Sequence, residues 1–451
     1  MIEDSLATQR GRDLARLERL VDYSPLIGGH PLFSVADIRH RQDERKTARL
    51  RRRALRLIPD ERLIDVQGGD FFAGSVDFMV RRLPTGDCQY VVLETNGGSN
   101  RGYCSLAPHD MDLVCNGYTE MLRFVKGPSP LVVIGHPTTD ALLTEKIYLA
   151  ERLRHEMLSA GLSEAVRIIR LRDFRGILKE GDGLIILGDY ESLLPALVGA
   201  GDRIILHGCP VSAIIGDGVA RRHYQMSRGA RFDVVLANWC FPVTDHKFLT
   251  YRAVERAYDL LKPFGVSPLQ FWSADTVGEL VELCEARREA MDLVIKPFQG
   301  SGGAGVQPID GRSPIPVVIQ ESMGEFRQKF GAWRSPFPYT VCEKVEPHRA
   351  VWHDSERNFD LRVYVARDGD QLLPVGALFR IALEPYTGEN RKRALVVNLS
   401  GYGGVDTERG LGVSSEALSI TRLEEEDLAK MFAASAVLLA DIAENYEEVR
   451  A

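Results

Sequence analysis

The sequence predicts a mixed α/β (α+β) fold, and three observations predict it. Short apolar runs alternate with helical spacing between residues 130 and 240, as in a parallel sheet with crossover helices. On either side, at 63–120 and 292–385, the pattern changes to strand, turn and strand. A long capped helix then runs over 423–448, with acidic residues in its first turn, where a helix dipole favours them. With 451 residues there is chain enough for two or three domains with real cores.

Composition excludes some functions. A net charge of -7 gives no reason to expect nucleic acid as a partner. The basic run Arg49, Arg51, Arg52, Arg53 and Arg56 reads as the solvated face of a helix. The 7 cysteines form no CxxC pair. Their odd number, without a signal peptide, predicts reduced thiols and a cytoplasmic protein. No apolar run is long enough for a membrane span, so no membrane partner is expected.

Residues 1–60 read as polar, Arg-rich and helical, with a loop around Pro25 to Pro31. The runs LVVIGHP (131–137), VRIIRL, GLIILGDY, DRIILHGCP and FDVVLANW are the strands of a parallel unit with helices on both faces. No GxGxxG follows its first strand, so a dinucleotide is not expected. The segment 244–290 is mostly helical. DLVIKPFQGSGGAGVQPI (292–309) reads as strand, glycine-rich loop and strand, and YTVCEKVEP (339–347) as a strand. FDLRVYVARDGDQLLPVGALFRIALEP (359–385) reads as a hairpin turning at Asp368-Gly369.

Two stretches carry chemistry. In QGSGGAGV (299–306), glycines let backbone N–H groups turn toward a polyphosphate without side-chain clash. Lys296 enters that loop from its strand. The Walker A spacing is absent, and a flexible turn alone would look the same. The second stretch is YVVLETNGGSNRGY (90–103). Here an apolar strand delivers Glu94, Thr95 and Asn96 onto the lip of a glycine-rich loop.

The order of motifs from 245 to 420 resembles the ATP-grasp superfamily. Lys247 opens a helix, Lys296-Pro297 precedes the glycine-rich loop, and VCEKVEP follows. The resemblance implies Lys247, Lys296, Gln299, Ser301, Gly302 and Gly303 on the ATP phosphates. It implies Glu343, with the backbone of Lys344 and Val345, at the adenine edge. FDLRVYV, VGALFRIA and VVNLSGYGG resemble the later strands and would put Asp360, Arg362, Arg380 and Asn398 around the reacting end.

ATP-grasp chains then carry an Asp-bearing strand and a strand ending Glu-x-Asn, which hold Mg²⁺ against the phosphates. Past Gly404 this chain has only one long helix. GSVDFMVRRLPTGDCQYVVLETNGG (74–98) supplies the missing pattern, with Asp77 on one strand and Glu94 and Asn96 ending the next. In an antiparallel hairpin Asp77 and Glu94 lie on one face, and their oxygens with that of Asn96 suit Mg²⁺. The whole is therefore similar to a circularly permuted ATP-grasp fold, as in eukaryotic glutathione synthetase and glutathionylspermidine synthetase. Its expected parts are an N-terminal segment with the permuted metal hairpin (1–120), an inserted Rossmann-like pre-ATP-grasp domain (121–243) and the nucleotide-binding domain (244–451).

The resemblance implies an ATP- and Mg²⁺-dependent carboxylate–amine ligase working through an acyl phosphate. Its partners would be small-molecule carboxylate and amine substrates, amino acids or peptides. Within the superfamily the chain resembles bacterial peptide ligases of the pheganomycin type; a homo-oligomer is left open. Arg362, Arg380 and Asn398 would serve the acyl-phosphate step. Two other functions stay open, loading of an amino acid onto a carrier-protein thiol and a non-catalytic nucleotide-binding regulator. His136, His207, His348 and His353 share no metal spacing and are expected to be structural. Cys104 and Cys342 are expected to be packing residues. Arg101 suits either a substrate carboxylate or solvent. Substrate choice is expected to lie in the loops 98–120 and 310–340.

Overall fold

The structure, a computed structural model, describes residues 38–39, 41–97, 101–138, 140, 142–216, 219, 232–298, 300, 302–332, 334–387, 392–401 and 404–451. The expected Arg-rich start and the loop around Pro25 to Pro31 lie outside the described residues. Parallel and antiparallel sheets combine with helices in a mixed α/β fold. All 7 cysteines are unbridged. Among the described residues no helix is long and apolar enough to cross a membrane.

Helix α1 (Glu44–Leu57) starts at Asp43, whose carboxylate accepts the Lys46 amide at 2.9 Å. Its basic side is only partly solvated. Arg52 and Arg56 are exposed as expected. Arg49 instead meets Glu425 at 3.2 Å, Arg53 pairs with Glu426, and Arg51 meets Asp110 at 3.4 Å. The arginines face acidic side chains from other helices, so the run holds elements together.

Strands β1 (Ala73–Arg82) and β2 (Cys88–Asn96) form an antiparallel hairpin with Asp77 opposite Glu94. Helix α2 (Pro108–Thr119) leads to β3 (Leu131–His136), α3 (Leu143–Ser159), β4 (Ala165–Arg170) and β5 (Asp182–Asp189). Next come β6 (Leu197–Ala200), β7 (Arg203–Leu206), β8 (Cys209–Pro210), β9 (Ala213–Ile215) and β10 (Val235–Ala237). The parallel sheet has the order β10-β9-β3-β5-β4.

The run DRIILHGCP departs from expectation. It forms β7 and β8 of a separate antiparallel sheet with β6. Alternation along β3 explains its use. Val132 and Ile134 pack with α2 and α3, while Leu131 and Val133 pack with Leu197, Ile204 and Leu206. The second face of the parallel sheet thus meets a small antiparallel sheet together with the short helix Tyr190–Ala196, whose Leu193 packs against Gly188 of β5.

Helix α4 (Lys247–Arg256) is followed by β11 (Phe271–Ala274), α5 (Val277–Arg287), β12 (Leu293–Lys296), β13 (Gln307–Ile309), α6 (Ile315–Phe330) and β14 (Tyr339–Glu343). The four strands pair antiparallel in the order β11-β14-β12-β13. Strands β15 (Phe359–Asp368) and β16 (Gln371–Ile381) form the expected hairpin, and β17 (Gly410–Gly412) adds to it. The N-terminal hairpin joins these strands to give the sheet β2-β1-β15-β16-β17.

The last helix, α7 (Glu425–Arg450), carries the expected acidic cap, with Asp427 accepting the Glu424 amide at 2.8 Å. It is not the one-faced amphipathic helix expected. From Leu428 to Ala440 only Lys430 is not buried. Small alanines let neighbouring elements close in on several sides. Tyr90 of β2 donates to Asp427 at 2.6 Å, fixing the start of α7 to the hairpin.

Thr95 locks the hairpin against α4. Its buried hydroxyl meets the Thr244 carbonyl and the Thr250 hydroxyl, each at 2.8 Å. Thr95→Val keeps the shape but leaves those buried groups unsatisfied, at about 1–3 kcal/mol. Chemical denaturation should show that loss with unchanged far-UV circular dichroism; an unaffected midpoint would contradict the lock.

Candidate active site

Period-two alternation puts Glu94 and Asn96 on one face of β2 and Thr95 on the other. The register then extends the polar face across three strands. Asp77 of β1 stands opposite Glu94 on one side and Arg362 of β15 on the other. Asp360 stands opposite Arg380 of β16.

The side chains form a buried ion cluster. Arg362 donates from Nε and Nη2 to the two Asp77 oxygens, both at 2.7 Å, and Arg380 Nη2 donates to Asp77 Oδ2 at 2.6 Å. Arg380 also donates twice to Asp360. Burial alone would raise the Asp77 pKa, but Arg362 and then Arg380 outweigh it and hold the carboxyl well below its usual range. For Asp360 burial wins over Arg380, and the pKa is raised. Glu94 lies at the edge of the cluster, 3.6 Å from Arg362 Nη2, and is 31% exposed.

Asp77, expected among the metal ligands, thus has both oxygens committed to guanidinium groups. Its strand register sets Arg362 beside it, and the next strand brings Arg380 over it. Glu94 and Asn96 are placed differently. Asn96 Nδ2 is buried with no hydrogen-bond partner, and the Glu94 side chain is partly exposed. Among the described residues no group of three or more His, Cys, Asp or Glu could hold a metal. Mg²⁺ needs fewer protein ligands than that, because it shares substrate phosphates and water; one carboxylate and one amide oxygen fit it.

Of the two expected lysines, Lys247 reaches this face and Lys296 is tied to β2 through Tyr251. Lys247 opens α4 beside its N-cap residue His246, whose ring Nδ1 accepts the Leu249 amide at 3.4 Å. The Lys247 ammonium donates to the Gly300 carbonyl at 3.0 Å and lies 3.3 Å from Glu94 Oε2. One side chain therefore touches the glycine-rich loop and the hairpin. Lys296, 9% exposed, contacts the Tyr251 hydroxyl, which donates to the Leu93 carbonyl at 3.0 Å.

Gly302 and Gly303 take left-handed backbone angles, φ +61° and +73°. A Cβ on Gly302 would lie 2.6 Å from Lys329 Nζ and 3.0 Å from Asn398 Nδ2, so Asn398 meets the loop tip. Gln299 and Ser301 lie outside the described residues. Glu325 of α6 steadies the loop's end, accepting from the Gly305 amide and Gln307 Nε2 at 3.1 Å each.

At the expected adenine edge, the Glu343 carboxylate accepts from Arg81 at 3.0 Å. The Lys344 amide is taken by the Asp292 carbonyl at 2.8 Å, so its own carbonyl is the backbone group it can offer a base. Val345 is buried with Val91 and Tyr251. Elsewhere, His348 meets the Thr421 carbonyl at 2.8 Å and His136 the Pro137 carbonyl at 2.8 Å, both structural contacts. Arg101 pairs with buried Asp140. Cys104 and Cys342 are buried, as packing residues are.

Sequence reasoning missed Tyr251, Lys329 and Lys392. Tyr251 was open to discovery, since it lies one helical turn after Lys247. Lys329 and Lys392 sit in no motif; only the fold carries them to the loop.

No family model matches the chain, and no curated protein does. Similar solved structures include a candidate gamma-glutamylcysteine synthetase from Methylobacillus flagellatus KT, at 12% identity and TM-score 0.47, covering 93% of this chain and 97% of that one. A glutathione synthetase-like effector from Globodera pallida has 10% identity and TM-score 0.38, over 78% and 81%. D-alanyl-alanine synthetase A from Vibrio cholerae has 10% identity and TM-score 0.33, over 57% and 68%. The functional reading rests on the residues of the site.

The two carboxylates should separate in stability. Asp77→Ala leaves two buried guanidiniums short of a partner and should cost about 3–5 kcal/mol. Glu94→Gln removes a partly exposed charge and should cost about 1 kcal/mol or less. Equal losses in urea unfolding would contradict the buried cluster.

Proposed function

We propose that this chain is an ATP-dependent carboxylate–amine ligase that joins amino acids or small peptides through an acyl phosphate. The observation that supports it most is the double contact of Lys247, which ties Gly300 to Glu94. A phosphate-loop candidate and a metal-ligand candidate, far apart in sequence, meet at one ammonium. On this reading the fold is a circularly permuted ATP-grasp fold. The hairpin belongs to the unit 1–120, a Rossmann-like unit spans 121–243, and the nucleotide unit spans 244–451. The pairing of β1 with β15 supports the permutation, since it joins the first of these units to the third in one sheet.

Lys247, Lys296 and the amides of Gly302 and Gly303 would hold the ATP phosphates. The Lys344 carbonyl, Val345 backbone and Glu343 would meet the base. Glu94 and Asn96 would hold Mg²⁺, with Asp77 reaching it only if a guanidinium moves aside. Mg²⁺ there would offset phosphate charge and polarise the γ-phosphoryl group. A substrate carboxylate oxygen attacks the γ-phosphorus as the bond to ADP breaks. The amine then attacks the acyl carbon and phosphate leaves. Arg362 and Arg380, held still by Asp77, supply fixed positive charge near this exchange, and Asn398 supplies an amide at the loop tip. Positioning and electrostatics carry most of such a reaction.

Purified protein with MgATP should release ADP only when an acid and an amine are both present, with the joined product seen by mass spectrometry. Saturating ATP should stabilise the fold by a few kcal/mol, and Lys296→Ala should remove most of that shift. ADP release at one rate with or without both substrates, or an undiminished melting shift in the variant, would contradict the proposal.

A further inference from the structure

We infer that Lys329 is a further phosphate-contacting residue, taking the terminal phosphate of the nucleotide and the acyl phosphate made from it. This rests on the ligase reading and adds a residue to it. Lys329 lies in the last turn of α6, where the chain leaves the helix at Gly331 with φ +89°. It is exposed as a residue, so a ligand beside the glycine-rich loop can reach it. Its ammonium is drawn over the tip of the glycine-rich loop, at the spot where Gly302 has no side chain and Asn398 presents its amide. Lys247 serves the other end of that loop, at Gly300. The two lysines are spaced along one loop, as two successive phosphates require.

The charges around Lys329 point to an anion. Partial burial, then the positive charges of Lys392 and Arg101, lower its pKa. A nearby carboxylate among the described residues is Glu325, one turn earlier on α6. It is shared among the Gly305 amide, the Gln307 amide and Lys392. Lys392 is held by Glu325 and Arg101 by Asp140, yet both still oppose the charge on Lys329. A phosphoryl group placed among them offsets that repulsion. The alternative is a solvated surface lysine, but such a residue has no reason to sit against a left-handed glycine beside an active-site amide.

The test compares MgADP with a Mg²⁺ complex of a non-hydrolysable ATP analogue, by calorimetry, in wild type, Lys329→Met and Lys329→Arg. A charged contact to the last phosphate is worth about tenfold in affinity. Lys329→Met should lose about tenfold for the analogue and no more than about twofold for ADP, with an unchanged melting temperature. Lys329→Arg should keep both. In turnover, kcat/KM should fall at alkaline pH as Lys329 deprotonates. The Arg variant, charged throughout, should carry that limb to higher pH. Equal weakening for both nucleotides, or none, overturns the inference alone. Wild-type protein that binds neither nucleotide overturns the ligase reading and the inference with it.

Discussion

Asp77 is the fixed point of the structure. Its carboxylate is shut away from water and holds two guanidinium groups, while Asp360 holds the second of them again. Taking such charges out of water costs several kcal/mol per ion, and only good geometry with satisfied hydrogen bonds offsets it. The strand register provides that geometry. A slip of one residue would turn Asp77 and its partners to the opposite face, so the cluster specifies the pairing of the hairpin with β15. Once that pairing is set, Glu94 and Asn96 have one possible face.

The hairpin is then tied to segments far along the chain. Thr95 bonds Thr244 and Thr250, Tyr251 bonds Leu93, Lys247 pairs with Glu94, and Arg81 pairs with Glu343. Strand β2 becomes a wall shared by the hairpin and the lysine-bearing elements. Rigid contacts line that wall, whereas the glycine-rich loop faces it with left-handed backbone and few side chains. A fixed, ion-paired edge beside a loop of left-handed glycines fits the proposed polyphosphate site.

Much of this was legible in the sequence. Strand and turn signals gave both hairpins and the loop, because turn residues and alternation are local properties. The motif order placed Lys247 and Lys296 in one neighbourhood. Partnership was harder to read. Nothing local says that Asp77 is consumed by arginines on β15 and β16, since that depends on a register between strands nearly 300 residues apart. DRIILHGCP has the composition of a parallel-sheet strand, and only its packing partner makes it a cover. The Ala-rich stretch of α7 resembles an amphipathic helix until several neighbours close on it. Lys329 and Lys392 stand in ordinary helical sequence and gain meaning from the loop they reach.

On the proposed reading, the hairpin and the glycine-rich loop form one metal–nucleotide site. Electron paramagnetic resonance of Mn²⁺, standing in for Mg²⁺, tests it most directly. Mn²⁺ should bind weakly alone and much more tightly with ATP, with phosphorus coupling in the bound signal. Glu94→Ala should weaken the ternary Mn²⁺ complex and change its signal while the protein stays folded. Nucleotide-dependent Mn²⁺ binding that is identical in wild type and Glu94→Ala would contradict the account.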